Sequence, residues 1–248
     1  MIDSFRNTVM ACATLLALIA WPLGARAFPE YAADWPIPNG AEVSCSGCHT
    51  EPPSLNAFGS AFDGANQLWT PGLATADSDG DGFSNGWELQ DPAGAWNSSQ
   101  SDPGDALLVT FPGNGGDFPA VPAEFDPVSV SHSEAAGTDG TEMVSVRNLG
   151  GVPFDWMLMS DESWMEPSPA FEVGLPPGND DPVLIQFLTT GLADGSYTGN
   201  LQLEIPGIDV TLLPAVAVDL TVPEPGAAAG ALAALAALGV SARRRRTG

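Results

Sequence analysis

Residues 141–161 read "TEMVSVRNLGGVPFDWMLMSD", Thr141 to Asp161. Val144 and Val146 alternate with Ser145 and Arg147. Past a break at Gly150, Gly151 and Pro153, Phe154, Trp156 and Leu158 alternate with Asp155, Met157 and Met159. A period of two belongs to a strand with one buried face, and glycine and proline mark the turn between two of them. The same pattern recurs at Val128–His132, Pro182–Thr189, Thr198–Ile205 and Val216–Val222, separated by Gly, Asn, Asp and Pro. About seven short strands in about 100 residues describe an immunoglobulin-like β-sandwich over residues 124–222. Trp156 and Trp164 are expected in its core, and Met157, Met159 and Met165 in strand packing.

The stretch before it, "ALLVTFPGNGGDFPAVPA" (residues 106–123), is rich in Gly and Pro and reads as a short strand followed by a linker over 107–123. Residues 28–106 then form a small α+β module, which gives a chain that is mainly β. An amphipathic helix is expected over Leu55–Trp69, where Leu55, Phe58 and Phe62 recur at spacings of three and four. Trp35, Trp69, Trp87 and Trp96 are expected as core.

The sharpest motif of this module is "DSDGDGFSNGWE", Asp77 to Glu88. Counted from Asp77, Asp79 stands at position 3, Asp81 at 5, Gly82 at 6, Phe83 at 7, Asn85 at 9 and Glu88 at 12, the EF-hand calcium spacing. Calcium takes six to eight oxygens, and alternating carboxylates converge on one point only where the chain turns sharply, which Gly82 permits. Phe83 would offer its carbonyl, Asn85 its amide oxygen directly or through water, and Glu88 both oxygens. The entering segment Thr70–Ala76 is short and holds Pro71 and Gly72, so the loop is expected without the paired helices of a full hand.

A second motif is Cys45-Ser-Gly-Cys48-His49. Three readings stay open. Cys-x-x-Cys-His is the minimal unit for covalent haem c, with Cys45 and Cys48 as thioethers and His49 as proximal ligand. The two thiols could instead close a disulfide, or hold a metal. A sixth iron ligand would have to come from His132, from a methionine of the sandwich or from the amine of Phe28, or be absent, because residues 28–142 hold no methionine and no histidine other than His49 and His132. Its absence would favour small-molecule binding or sensing.

The ends of the chain read as addresses. Arg6, the apolar run Val9–Pro22 and Ala25-Arg-Ala27 describe a signal peptide over residues 1–27. At the other end, Pro223-Glu-Pro225 precedes seventeen uncharged residues, Gly226–Ala242, and then four arginines. An apolar helix stopped by a basic cluster is expected to sit with its C-terminus in the cytoplasm. The formal net charge is −24. Without residues 1–27 and 226–248, Arg147 stands alone against 30 acids, a net charge of −29. Such a surface excludes nucleic acid as a partner. Self-repulsion makes salt or bound divalent cations stabilising, and any redox partner would be cationic. No catalytic triad, phosphate loop or activated nucleophile stands out, and no enzyme is expected.

Three resemblances add to this. Residues 28–105 resemble the temptin domain, a small secreted module, through "IPNG" (Ile37–Gly40), "LNAFGSAF" (Leu55–Phe62), "LWTPGL" (Leu68–Leu73), "DSDGDGFSNGWELQDPAGAW" (Asp77–Trp96) and "SDPGD" (Ser101–Asp105). That resemblance implies calcium at the acidic loop and no catalysis. It also exposes a difference, since the separated cysteines of the animal pattern are absent and a compact Cys-x-x-Cys-His stands in their place. Residues 124–222 resemble a BACON-type sandwich, which implies glycan, matrix or spacer roles. Residues 223–248 resemble a PEP-CTERM sorting signal, which implies a bacterial exported protein, anchored in the membrane until a transpeptidase releases it to the outer surface or the extracellular matrix.

Overall fold

The computed structural model describes residues 36–224. The signal sequence, Trp35 and the apolar run before the C-terminal arginines lie outside the described residues, and so do the two hydrophobic terminal helices expected there. Among the described residues no helix is long and apolar enough to cross a membrane.

The chain is mainly β. It begins with a short helix α1 (Gly40–Val43), a 3-10 turn (Ser44–Gly47), a small hairpin of β1 (His49–Glu51) and β2 (Ser54–Leu55), and helices α2 (Ala57–Gly64), α3 (Pro71–Ala74) and α4 (Asn85–Glu88). The helix expected over Leu55–Trp69 is therefore eight residues long. Asn56 caps it by accepting from Gly59 N at 2.7 Å. It stops at Gly64, beyond which Asn66 and Gln67 adopt positive φ. Phe58 and Phe62 are buried as the spacing implies, whereas Leu55 and Leu68 are exposed because they lie outside the helix.

The sandwich follows: β3 (Ala123–Asp126), β4 (Ser129–Ser133), β5 (Gly140–Asn148), β6 (Phe154–Ser160), β7 (Met165–Ser168), β8 (Phe171–Leu175), β9 (Asp180–Phe187), β10 (Gly195–Glu204) and β11 (Ala215–Val222). One sheet runs β4-β11-β10-β6-β8 and the other β3-β5-β9-β7. All pairs are antiparallel except β4 with β11, where Val130 stands beside Val218. The alternation read at 141–161 decides which face is buried: Val144, Val146, Phe154, Trp156 and Leu158 all point into one core. Trp156 Nε1 donates to Asp181 Oδ2 at 2.9 Å and so ties β6 to β9 of the opposite sheet.

Six of the nine sandwich strands coincide with the alternating segments read from the sequence, while β3, β7 and β8 carry no clear alternation. Met165 is buried, but Met157 and Met159 are 43% and 50% exposed, which corrects their assignment to packing: they fall on the outward face of β6. Residues 106–108 form a 3-10 turn and not the start of a strand.

Candidate metal centre

The acidic loop is built by its own backbone. Asp77 accepts from Gly80 N at 2.8 Å through Oδ1 and from Gly82 N at 3.0 Å through Oδ2. Asp81 Oδ1 accepts from Phe83 N at 2.8 Å. Gly80 and Gly82 hold φ at 81° and 96°, a conformation that costs a glycine nothing. At Gly82 a Cβ would also lie 2.6 Å from Leu212 Cδ1. Thr70 caps α3 on the entering side, with Pro71 in its first turn, and α4 leaves on the other side. These two helices have four residues each, so the loop has the EF-hand spacing without the long helices of a hand.

One oxygen from each of Asp77, Asp79 and Asp81 lies within 4.8 Å of the others. Both oxygens of Asp79, Oδ2 of Asp81 and both oxygens of Glu88 are buried without a hydrogen-bond partner. Glu88 is wholly buried. Burial first, then the charges of Asp79, Asp81, Asp77 and Asp117, push its carboxyl up to about 10. Burial and neighbouring carboxylates also raise Asp79 and Asp81 above the usual range. A buried carboxylate without a partner is costly unless it binds a cation or takes a proton. No lysine exists, and the only basic side chain among the described residues, Arg147, pairs with Glu124 at 3.5 Å. The donor set, hard carboxylate oxygens around one point, fits calcium.

Asn85 does more than the sequence reading assigns. Its Nδ2 donates to Leu73 O at 2.8 Å and its Oδ1 accepts from Ser78 N at 3.2 Å, so it braces the loop to α3 besides the ligand role read from its position. Phe83 lies in an isolated antiparallel bridge to Ile208. The bonds of that bridge flank it: Asp209 N donates to Gly82 O at 2.7 Å, and Ser84 N to Gly207 O at 2.8 Å. Trp87 Nε1 donates to Pro206 O at 2.8 Å, and its ring meets Phe154 with centroids 6.1 Å apart. Phe83 and Trp87 thus pack in the sandwich core, and the back of the acidic loop is docked on the turn between β10 and β11. No spacing rule announced this docking. The nearest signal in the sequence was a pair of aromatics among the acids.

A further carboxylate, Asp117, was also missed. Its charge reaches Asp81 and Glu88. It lies outside any motif, at the end of "GNGGD" in the segment read as linker. That segment is not free, since Val109 and Phe111 pack on the core of the N-terminal module.

The second motif lies apart from the loop. Cys45 is exposed and Cys48 half-buried, and both are free. Burial, then Cys45, pushes the Cys48 thiol up to about 11. Asn56 N donates to the Cys48 carbonyl at 2.9 Å. His49 Nδ1 lies 3.3 Å from Ser54 O across the hairpin. The amine of Phe28 lies outside the described residues, and the candidate sixth ligands among the described residues are engaged elsewhere or turned outward. His132 stacks on Phe187 at 4.4 Å and pairs with Glu142 at 2.9 Å, Met165 is buried in the sandwich, and Met143, Met157 and Met159 are exposed on it.

Fold and site together define a small module braced by polar side chains, with an EF-hand-spaced acidic loop, docked on a β-sandwich. The sequence model described as Temptin C-terminal matches residues 25–114. Temptin of Aplysia californica is 37% identical over 102 residues, which cover 36% of this chain and 78% of that protein. The chain belongs to the temptin family. Among solved structures it is similar to a Bacteroides ovatus GH5 xyloglucanase in complex with a XXXG heptasaccharide, 12% identical, covering 40% of this chain and 18% of that one, TM-score 0.31. It is also similar to a PapD-like domain of human CEP192, 17% identical, covering 42% of this chain and 87% of that one, TM-score 0.36. At these scores neither likeness carries an argument.

Proposed function

We propose that the chain is an exported calcium-binding protein in which one calcium ion, held by Asp77, Asp79, Asp81, Glu88 and the Phe83 carbonyl, stabilises the temptin-like module. The sandwich carries that module as a stalk or adhesion unit. It acts by holding and presenting surfaces, and no catalysis is proposed. The reading rests on one observation: Glu88 is wholly buried with both oxygens unpartnered, beside Asp79 and Asp81. Delivery to an outer surface or matrix is proposed from the PEP-CTERM-like tail.

The test is calorimetric titration of chelator-stripped protein. One ion per chain should bind, and at a hundredfold excess over Kd the fold should gain about 2.7 kcal/mol. No uptake and no rise in melting temperature would overturn the reading.

A second reading concerns Cys45, Cys48 and His49. With Nδ1 of His49 turned to the Ser54 carbonyl, Nε2 is left for a ligand, the tautomer that a carbonyl partner enforces on metal-bound histidines. We propose this site for covalent haem c, in a redox or haem-binding role. Intact mass and a haem stain on protein made with c-type maturation decide it. Colourless protein with a Cys45–Cys48 disulfide would leave a cofactor-free, calcium-stabilised structural protein.

A further inference from the structure

We propose that Asp117 is a ligand of the cation held by the 77–88 loop, taking the role that Asn85 has at position 9 of the EF-hand spacing. The ion then ties the segment that leaves the module to the loop itself. This inference rests on the calcium reading and adds a ligand from outside the loop and beyond residue 114, where the family match ends.

The argument begins with what Asn85 does. At 0% exposure its Nδ2 is held by Leu73 O, and its Oδ1 already accepts from Ser78 N. On that side the loop offers only an amide oxygen that is already engaged. Calcium takes six to eight oxygens, and a carboxylate is a stronger ligand than an amide.

The segment 109–117 is laid over the site. Thr110 N donates to Glu88 O at 3.0 Å, beside the carboxylate that needs the ion. Gly113 lies so close to Asn56 that a Cβ would stand 2.3 Å from its amide nitrogen. Gly115 lies against the loop, where a Cβ would stand 3.3 Å from Asp79 O and 3.7 Å from Asp81 Cβ. Gly115 thus lets this turn approach the acidic loop at backbone distance, while Gly113 seats its start against the cap of α2.

Within the turn Asp117 is fixed at both ends. Its N donates to Asn114 O at 2.8 Å, and its Oδ2 accepts from Phe111 N at 3.2 Å. That is its one side-chain bond to the described residues, which leaves Oδ1 for a ligand role. Asp117 is half-buried, and its charge adds to those that act on Asp81 and Glu88. No basic side chain among the described residues balances the five carboxylates. Repulsion alone would swing an aspartate on a flexible turn outward, whereas this turn is pinned inward by glycine contacts and hydrogen bonds. A shared cation is the partner that makes the arrangement favourable.

The experiment uses the full mature chain. Calcium is titrated into wild type and Asp117→Asn by calorimetry, and amide exchange across 109–117 is followed with and without calcium. The expected result for Asp117→Asn is at least a tenfold weaker Kd with unchanged stoichiometry, and melting in chelator no lower than in wild type, because one repelling charge is gone. Calcium-induced protection of 109–117, present in wild type, is expected to be lost. Equal Kd and equal protection in the two proteins would overturn the role of Asp117 and leave the calcium reading standing. A wild type that takes up no calcium overturns both. Glu88→Gln serves as the reference for loss of a ligand that is already assigned.

Discussion

The two halves of this molecule are stabilised by different means. The sandwich gathers 26 buried apolar residues into one cluster, two of them, Phe83 and Trp87, lent by the acidic loop. The module keeps six in its own cluster: Ile37, Val43, Phe58, Phe62, Leu73 and Leu89. The proportions reverse for buried polar side chains. Asn39, Asn56, Ser84, Asn85, Glu88, Gln90 and Asp91 belong to the module, against Asn148 and Thr189 in the sandwich. Asn39 shows what they do: its Nδ2 bridges Leu89 O at 2.9 Å and Pro103 O at 3.0 Å. Asp91 likewise gathers Trp69 Nε1 at 2.7 Å and Trp96 N at 2.9 Å. A core of six side chains is small for independent stability, and side chains that satisfy loop backbone take its place, joined in the proposed function by an ion.

The largest effect is expected on the sandwich. Trp156→Ala removes a buried indole and leaves Asp181 without its cross-sheet donor, and it should cost about 3–5 kcal/mol. The loss should be the same with and without calcium, measured by urea unfolding. A calcium-dependent loss would mean that the two halves do not differ in the way described.

Chelation should do the opposite. In chelator, amide exchange is expected to rise across the module, in α2–α4 and residues 77–96, while β5, β9, β10 and β11 keep their protection. The difference corresponds to a few kcal/mol at saturating calcium. Uniform exchange across both halves would make the ion a stabiliser of the whole chain, acting through the bridge at Phe83–Ile208.

A pH series sharpens the contrast further. The folded carboxyl of Glu88 is raised from 4.5 to about 10 when no ion is bound. Its contribution to the stability of the cation-free fold is therefore fully present below about 4.5 and is lost as pH rises toward 10. Burial raises Asp79 and Asp81 in the same direction. Glu134, Asp161 and Asp209, whose carboxylates accept hydrogen bonds, are lowered and slope the other way. Stripped protein should melt higher at pH 5 than at pH 8, calcium should reverse that order, and Glu88→Gln should flatten the slope in chelator. A stripped protein that gains stability up to pH 8 would contradict the buried, uncompensated state of Glu88.

The same contrast explains what the sequence made legible. Sandwich strands are written in a period of two, so β5, β6, β9, β10 and β11 could be placed within a few residues. Strands β7 and β8 could not, because Met165–Ser168 and Phe171–Leu175 alternate only in part; β8 is an edge strand with one buried residue, Leu175. The acidic loop was legible through its spacing, since ligand geometry fixes offsets along the chain. Its brace Asn85, its outlying carboxylate Asp117 and its docking on residues 206–209 depend on contacts between distant segments. No local pattern encodes them. Trp69 and Trp96 were read as core by residue type; both are half-buried and linked to Asp91, one by its indole N–H and the other by its backbone, and of the two only Trp69 packs on the module's own cluster.

The smallest expected effect is on the thiol pair, where stability should barely change and chemistry should separate two neighbours. Cys45 is exposed, while Cys48 is half-buried with its thiol pushed up to about 11. The thiolate is the nucleophile, so a half-buried thiol pushed up this far reacts slowly at a given pH, while Cys45 is open to the reagent. Reduced protein treated with iodoacetamide at pH 8 should therefore be alkylated first at Cys45, with Cys48 following only after long exposure or unfolding. The turn that buries Cys48 is fixed by Asn56, whose Nδ2 donates to Gly47 O at 2.9 Å and to Ser46 O at 3.2 Å. Asn56→Ala should release that turn and bring the two alkylation rates together. Equal rates in the unaltered protein would mean that the Ser44–Gly47 turn opens freely, and that this corner is not held by side-chain bonds to backbone as the rest of the module is.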